Sequence, residues 1–153
     1  MNYHHTPVML KEVLEILNQK PGQNFIDCTL GGGGYTLEIA KRIGPSGKVL
    51  AIDLDITAIQ HVKFLISNFQ FQNINLVHGN FKNLSKIVAE NFGENNKFGG
   101  IVFDLGLSSA QLNDPLRGFS FKSSGPLKME FGSVGGDSDE FGTEEIVNAL
   151  NQA

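Results

Sequence analysis

An apolar run that closes on an acid and then on four consecutive glycines constrains this chain more than any other feature. It reads Phe25-Ile26-Asp27-Cys28-Thr29-Leu30-Gly31-Gly32-Gly33-Gly34-Tyr35. A second apolar run, Val49-Leu50-Ala51-Ile52-Asp53, follows and also ends in an acid. Strand, glycine turn, helix, strand and terminal carboxylate is the layout of a nucleotide pocket on a doubly wound sheet. Glycine admits a ligand close to the backbone because no Cβ intervenes and positive φ is inexpensive. The carboxylate ending the second strand can accept hydrogen bonds from two ribose hydroxyls.

The surrounding pattern supports alternating strands and helices. Leu10, Val13, Leu14 and Leu17 recur at helical spacing, with Lys11, Glu12 and Glu15 on the opposite face. Pro7 is expected in that helix's first turn, and Pro21-Gly22 at its end. A first strand is expected at about 24–29, a second at about 48–53 and a third at about 74–77. Between them, Leu37, Ala40 and Ile43 mark one helix, closed by Gly44-Pro45-Ser46-Gly47. Ile59, Val62, Ile66 and Phe69 mark another. Asn83 is expected to cap a helix carrying Leu84, Ile87 and Val88. Ile101-Val102-Phe103 reads as a fourth buried strand ending at Asp104. The alternation implies a parallel sheet with helices on its faces.

Length and charge narrow the function classes. The 153 residues suffice for one domain with a real core. A net charge of -4 argues against a broad basic face that binds nucleic acid by bulk electrostatics, though not against a local basic site. The single cysteine, Cys28, cannot form an internal disulfide and reads as a small buried packing residue. No secretory pattern or membrane-length run is present in the sequence, which makes the cytoplasm the expected compartment. His4 and His5 lack a cysteine or carboxylate cluster at ligand spacing, so no metal site is expected. His78 is expected simply to end a strand.

The glycine turn discriminates between nucleotides. A dinucleotide fingerprint requires glycine at its first, third and sixth positions, and the sixth position counted from Gly31 is Thr36. NAD is therefore disfavoured. Asp27 before the loop together with Asp53 on the next strand fits S-adenosylmethionine better.

Four longer motifs occur in order. They are His5-Thr6-Pro7-Val8-Met9-Leu10-Lys11-Glu12-Val13, the run Asp27 to Tyr35, Asp104-Leu105-Gly106-Leu107-Ser108-Ser109-Ala110-Gln111-Leu112, and Arg117-Gly118-Phe119-Ser120-Phe121. In these the chain resembles the MraW/RsmH family of bacterial and organellar 16S ribosomal RNA methyltransferases, over most of Met1 to about Met129. The resemblance implies a Rossmann-like α/β fold dependent on S-adenosylmethionine, truncated here after about four parallel strands. It implies N4-methylation of a cytidine in the decoding site of 16S rRNA, with the small ribosomal subunit as partner.

By the same resemblance, Gly33, Gly34 and Tyr35 fall on the cofactor-holding loop and Asp53 on the ribose-binding acid. Phe81, in His78-Gly79-Asn80-Phe81, matches an aromatic beside the adenine. Asp104 and Gln111 match the remaining cofactor contacts. Asp104 is also the candidate catalytic residue, orienting the amine or the methionine end, with Ser108 and Ser109 as further polar groups. Arg117 and Phe119 are the candidate RNA contacts, a cation beside aromatics that can stack on an unpaired base. Ala110 stands where the family has proline. Lys128 and Glu130 stand where it has an acid and a cation, which touches the substrate side and leaves the cofactor side intact.

Each residue also has a structural reading. Asp27 can be an acceptor for loop amides, and Asp53 can cap the next helix, although Asp55 suits that cap better. Gln111 can fix its own loop, Phe81 can be core, and Phe119 and Phe121 can pack beneath their loop. Arg117 can pair with Asp114.

The expected organisation is residues 1–131 as the N-terminal part of the methyltransferase domain. Residues 132–153 are then a linker, the acidic glycine-rich run Gly132 to Glu140, and the start of a helical substrate domain capped at Thr143. The family is roughly twice this length, so strand four is expected to be an exposed edge in the order three, two, one, four. A non-catalytic S-adenosylmethionine-binding fragment that needs a partner is the alternative reading.

Overall fold

A computed structural model of the protein describes residues 7, 9–93, 95–122, 124–126 and 129. The expectations for His4, His5, Lys128, Glu130, the linker and the Thr143 cap lie outside the described residues, as does the 131/132 boundary. The side chains of Ser109 and Ala110 are likewise outside them. The chain divides after Leu105 into two compact units, taken separately below.

The first unit is a four-stranded parallel sheet in the order β3-β2-β1-β4. The strands are β1 Asn24–Asp27, β2 Val49–Asp53, β3 Ile74–His78 and β4 Phe98–Val102. The crossovers are α2 Gly34–Ile43, α3 Ile56–Phe69 and α4 Leu84–Phe92, and α1 Leu10–Leu17 precedes the sheet. Alternation along the central strands sorts the two faces. Phe25 and Val49 pack with Leu14, Tyr35, Ile39 and Ile43 from α1 and α2. Ala51 on that same face packs with Ile59 and Val62 of α3. Ile26, Leu50 and Ile52 on the other face meet Ile87 of α4. β1 and β2 are buried on both sides, as continuous apolar runs in a parallel sheet should be.

Several boundaries differ from expectation. Pro7 is not in the first turn, because α1 starts at Leu10 after Met9 in a left-handed conformation (φ 59°). The helix ends at Leu17, with Asn18 as its left-handed C-cap, three residues before Pro21. Phe69, read as part of the apolar face of α3, is 68% exposed at that helix's last position. Asn83 makes no side-chain cap; Asn80 does, accepting from the Lys82 amide at the start of a short 3-10 turn, Phe81–Asn83, that leads into α4.

β4 begins three residues earlier than expected, at Phe98, and stops before Phe103. Its glycines are the reason it was hidden. A Cβ at Gly99 would stand 2.7 Å from Phe25 Cζ, and one at Gly100 would stand 2.7 Å from Leu17 Cδ2. Gly99 is the extra residue of a bulge, since Phe98 pairs with Asn24 and Gly100 with Phe25. The ring of Phe25 thus occupies the space that β4 leaves. Among the described residues β4 pairs only with β1, and Ile101 is 44% exposed on this edge.

The turn before β3 is tied to a distant helix end. Asn73 is buried and its carboxamide donates to the carbonyls of Ala40 (3.0 Å) and Gly44 (2.9 Å), at the C-terminus of α2.

Candidate functional site

The carboxyl ends of the strands converge on a loop built from β1 and the glycines. This is where open α/β sheets bind ligands, and β1 and β4 flank the point at which strand order reverses. Gly31 and Gly33 have positive φ, 50° and 80°. At Gly33 a Cβ would lie 2.8 Å from Val62 Cγ2, so glycine serves both the backbone angle and the close approach of α3. At Gly34 a Cβ would overlap the ring of Pro7. At Gly31 it would meet, among the described residues, only the Thr29 carbonyl, at 3.8 Å. Gly33 and Gly34 are glycine for protein packing, whereas at Gly31 the described residues leave room for a ligand.

Asp53 closes this loop from the neighbouring strand. Its Oδ2 accepts the Gly31 amide and its Oδ1 the Asp55 amide, each at 2.8 Å. A carboxylate offers about four lone-pair positions, so each oxygen retains capacity for another donor. Burial raises its pKa and the Asp55 carboxylate adds to this, against the lowering effect of the Asp55 and Gly31 amides. Asp53 is not the helix cap: Asp55 is, accepting from the Thr57 amide at 2.9 Å and the Thr57 hydroxyl at 2.7 Å.

Asp27 is fully buried and takes the role of loop acceptor. Oδ1 accepts the Thr29 amide (3.1 Å) and Oδ2 the Thr36 hydroxyl (2.7 Å). Burial pushes its pKa up to about 6; the Thr36 and Thr29 hydrogen bonds oppose that, and the carboxylates of Asp53 and Asp104 reinforce it. Three acids at one end of the sheet therefore feel one another, and a ligand carrying positive charge would relieve the repulsion.

Asp104 follows β4 on exposed backbone, and its amide donates to Thr29 Oγ1 at 2.7 Å. Phe81 is not core; it is 41% exposed and meets Phe103 edge-on, with centroids 5.6 Å apart. Phe103, 47% exposed, is a residue that sequence reading assigned only to strand burial. Tyr35, the second residue of α2, packs its ring in the core and is 5% exposed. Its phenol is raised by burial, then by Asp104, Asp27 and Glu12. Cys28 is buried, and burial followed by Asp27 pushes the thiol to about 11, which leaves it a packing residue and no nucleophile. His78 ends β3, with Nε2 3.0 Å from the Leu54 carbonyl. Among the described residues no cluster of three metal-ligating side chains occurs, and no helix is long and apolar enough to cross a membrane.

The second unit carries the remaining candidates. Ser108 and Gln111 form a capping box on α5, Ser109–Asn113: the Gln111 amide donates to Ser108 Oγ (3.2 Å) and Gln111 Oε1 accepts the Ser108 amide (2.9 Å). Gln111 is thus buried in its own loop-fixing bond. Arg117 Nε lies 3.4 Å from Asp114 Oδ2, with the arginine side chain only 14% exposed, so the pairing with Asp114 is realised. Its carbonyl accepts the Met129 amide at 2.9 Å. Phe119 is half-buried and Phe121 is fully exposed.

Comparison with known proteins agrees with this geometry. The profile described as the MraW methylase family matches residues 2–153. Three similar proteins are each named ribosomal RNA small subunit methyltransferase H. The one from Clostridium botulinum (strain Loch Maree / Type A3) is 36% identical over 99% of this chain. That from Thermomicrobium roseum is 43% identical over 87%, and that from Buchnera aphidicola subsp. Baizongia pistaciae 44% over 84%. This chain spans 47%, 40% and 39% of their respective lengths. A methyl donor as cofactor, S-adenosylmethionine, is in keeping with the profile and with the acidic end of the sheet. From its glycine loop to its matching profile, the chain belongs to the MraW methylase family.

Proposed function

We propose that this chain forms the cofactor-binding portion of an S-adenosylmethionine-dependent ribosomal RNA methyltransferase. The observation that carries the proposal is the pairing of Asp53 with Gly31. It draws a ribose-accepting carboxylate against the open side of the glycine loop while leaving lone pairs for a diol. Charge favours the same ligand. S-adenosylmethionine brings a sulfonium and an ammonium toward Asp27, Asp53 and Asp104, whereas the pyrophosphate of NAD would be repelled by them. The exposed Phe81 and Phe103 rings supply an apolar lip suited to adenine.

The finer assignment is N4-methylation of a cytidine in the decoding site of 16S rRNA, in the cytoplasm, on the small ribosomal subunit. It rests on the motif resemblance; the relatives' name supports only the coarser part, a small-subunit ribosomal RNA as substrate. The exocyclic amine of cytosine is a weak nucleophile, because its lone pair is delocalised into the ring. It must be held in line with the methyl group and must give up a proton after transfer. The bound cofactor supplies an already activated methyl group, so this chain's task is positioning. Asp104, on exposed backbone after β4, is the group suited to orient the amine. Phe119 is suited to stack on the base and Arg117 to face phosphate or base while tethered to Asp114.

A second reading, a binding fragment that is not catalytic alone, is favoured by β4 having β1 as its one strand partner among the described residues. Calorimetric titration with S-adenosylmethionine, with NAD as control ligand, tests the cofactor proposal. Selective binding that disappears in Asp53→Ala supports it. A folded chain that binds neither ligand, or binds NAD better, overturns it.

A further inference from the structure

We infer that Thr29 is a positioning residue for Asp104, and that its hydroxyl sets where the Asp104 carboxylate stands at the cofactor site. The inference rests on the cofactor reading above and adds a residue to it. β1 and β4 pair through Asp27 and Val102, and one more bond continues the ladder, from the Cys28 amide to the Val102 carbonyl at 2.9 Å. An unbroken parallel ladder would next carry the Asp104 amide to the Cys28 carbonyl. It goes instead to Thr29 Oγ1, at 2.7 Å. By then the β1 chain has turned into the glycine loop, and a side chain takes over as acceptor.

Thr29 is itself fixed from behind. Its amide donates to Asp27 Oδ1, and Asp27 Oδ2 accepts the Thr36 hydroxyl at the start of α2. Asp104 is thereby referenced to the buried end of β1 and to the first turn of α2. Without the Thr29 hydroxyl the segment after Val102 has no hydrogen bond at Asp104 to hold it to β1, and the Asp104 amide turns to water. Valine is the same shape without the acceptor; serine keeps the acceptor without the methyl group.

Two readouts test this on the full chain: hydrogen exchange of the Asp104 amide, and calorimetric affinity for S-adenosylmethionine. Thr29→Val should speed exchange at Asp104 and weaken binding by about tenfold, the size of one hydrogen bond, and Thr29→Ser should restore both. Faster exchange with unchanged affinity would overturn the positioning role, as would equal loss of affinity in the valine and serine variants. Unchanged exchange in Thr29→Val would show that the bond does not hold Asp104. Failure of the wild-type chain to bind S-adenosylmethionine would count against the cofactor reading, while the exchange measurement still decides whether Thr29 fixes Asp104.

Discussion

The Thr36 hydroxyl donates to Asp27 Oδ2 across 2.7 Å, and neither side chain is exposed to solvent. Thr36 occupies the position where a dinucleotide-binding turn carries its last glycine. In such a turn that glycine lets helix and strand close together. Here the helix approaches through a hydrogen bond from a threonine, which satisfies a carboxylate that burial would otherwise leave in want of donors. The broken fingerprint is thus a different solution to the same helix–strand contact.

Thr36→Val keeps the shape and removes the donor. Asp27 would be left with one backbone amide in a buried site, and the expected loss of stability is about 1–3 kcal/mol. Urea unfolding at neutral pH, read by circular dichroism, checks this; Thr36→Ser should recover most of the loss.

The raised pKa of Asp27 predicts an acid-side gain in stability. Burial pushes its carboxyl up to about 6 in the fold, against an ordinary aspartate value of about 3.9. Between those values the native state holds the proton that the unfolded chain has released. Its contribution is therefore full below about pH 4 and is lost as the pH rises through 6, amounting to roughly 3 kcal/mol. Asp27→Asn should flatten this part of the profile. Urea midpoints measured from pH 4 to 7 in both proteins give the comparison, and an unchanged slope in the asparagine variant would assign it to another group.

Gly33→Ala combines a left-handed backbone at φ 80° with a Cβ 2.8 Å from Val62 Cγ2. The expected destabilisation is about 2–4 kcal/mol. Placing the same substitution in a Val62→Ala background should remove the overlap and keep the backbone strain. A double-mutant cycle on thermal unfolding therefore separates the two, and a coupling of zero would mean that α3 yields freely.

Ser108→Ala and Gln111→Ala each remove one half of the capping box, and each should lower the local stability of α5 by about 1 kcal/mol. Exchange of the Leu112 amide, which donates to the Ser108 carbonyl at 3.0 Å, reports on that helical turn directly.

Much of the first unit was legible in the sequence because its signals are local. The runs ending at Asp27 and Asp53 are buried on both faces and flanked by glycine turns, and they became β1 and β2 in the expected order. Asp55 was readable as a cap from its place before Ile56. What could not be read depends on partners remote in sequence. Gly99 and Gly100 resemble a loop until the ring of Phe25 fills their missing side chains. Asn80 in place of Asn83 caps because a 3-10 turn intervenes, and no periodicity announces three residues. Phe81 looks like core by composition, yet it pairs with Phe103 at an exposed lip. Gln111 and Arg117 carry the residue types of a site, yet their bonds to Ser108 and Asp114 are local, a balance that side-chain identity alone does not decide.

Asn73 gives the sheet a property that strand pairing does not. Helices ordinarily fray from their last carbonyls, which lack intrahelical donors. The carbonyls of Ala40 and Gly44 are held by a carboxamide that stands at the threshold of β3, with β2 and α3 between them in sequence. Loosening the far end of α2 therefore breaks two hydrogen bonds that also hold the entry to β3. A ligand clasped by the glycine loop at the near end of α2 is accordingly expected to slow amide exchange at the entry to β3 through this tie.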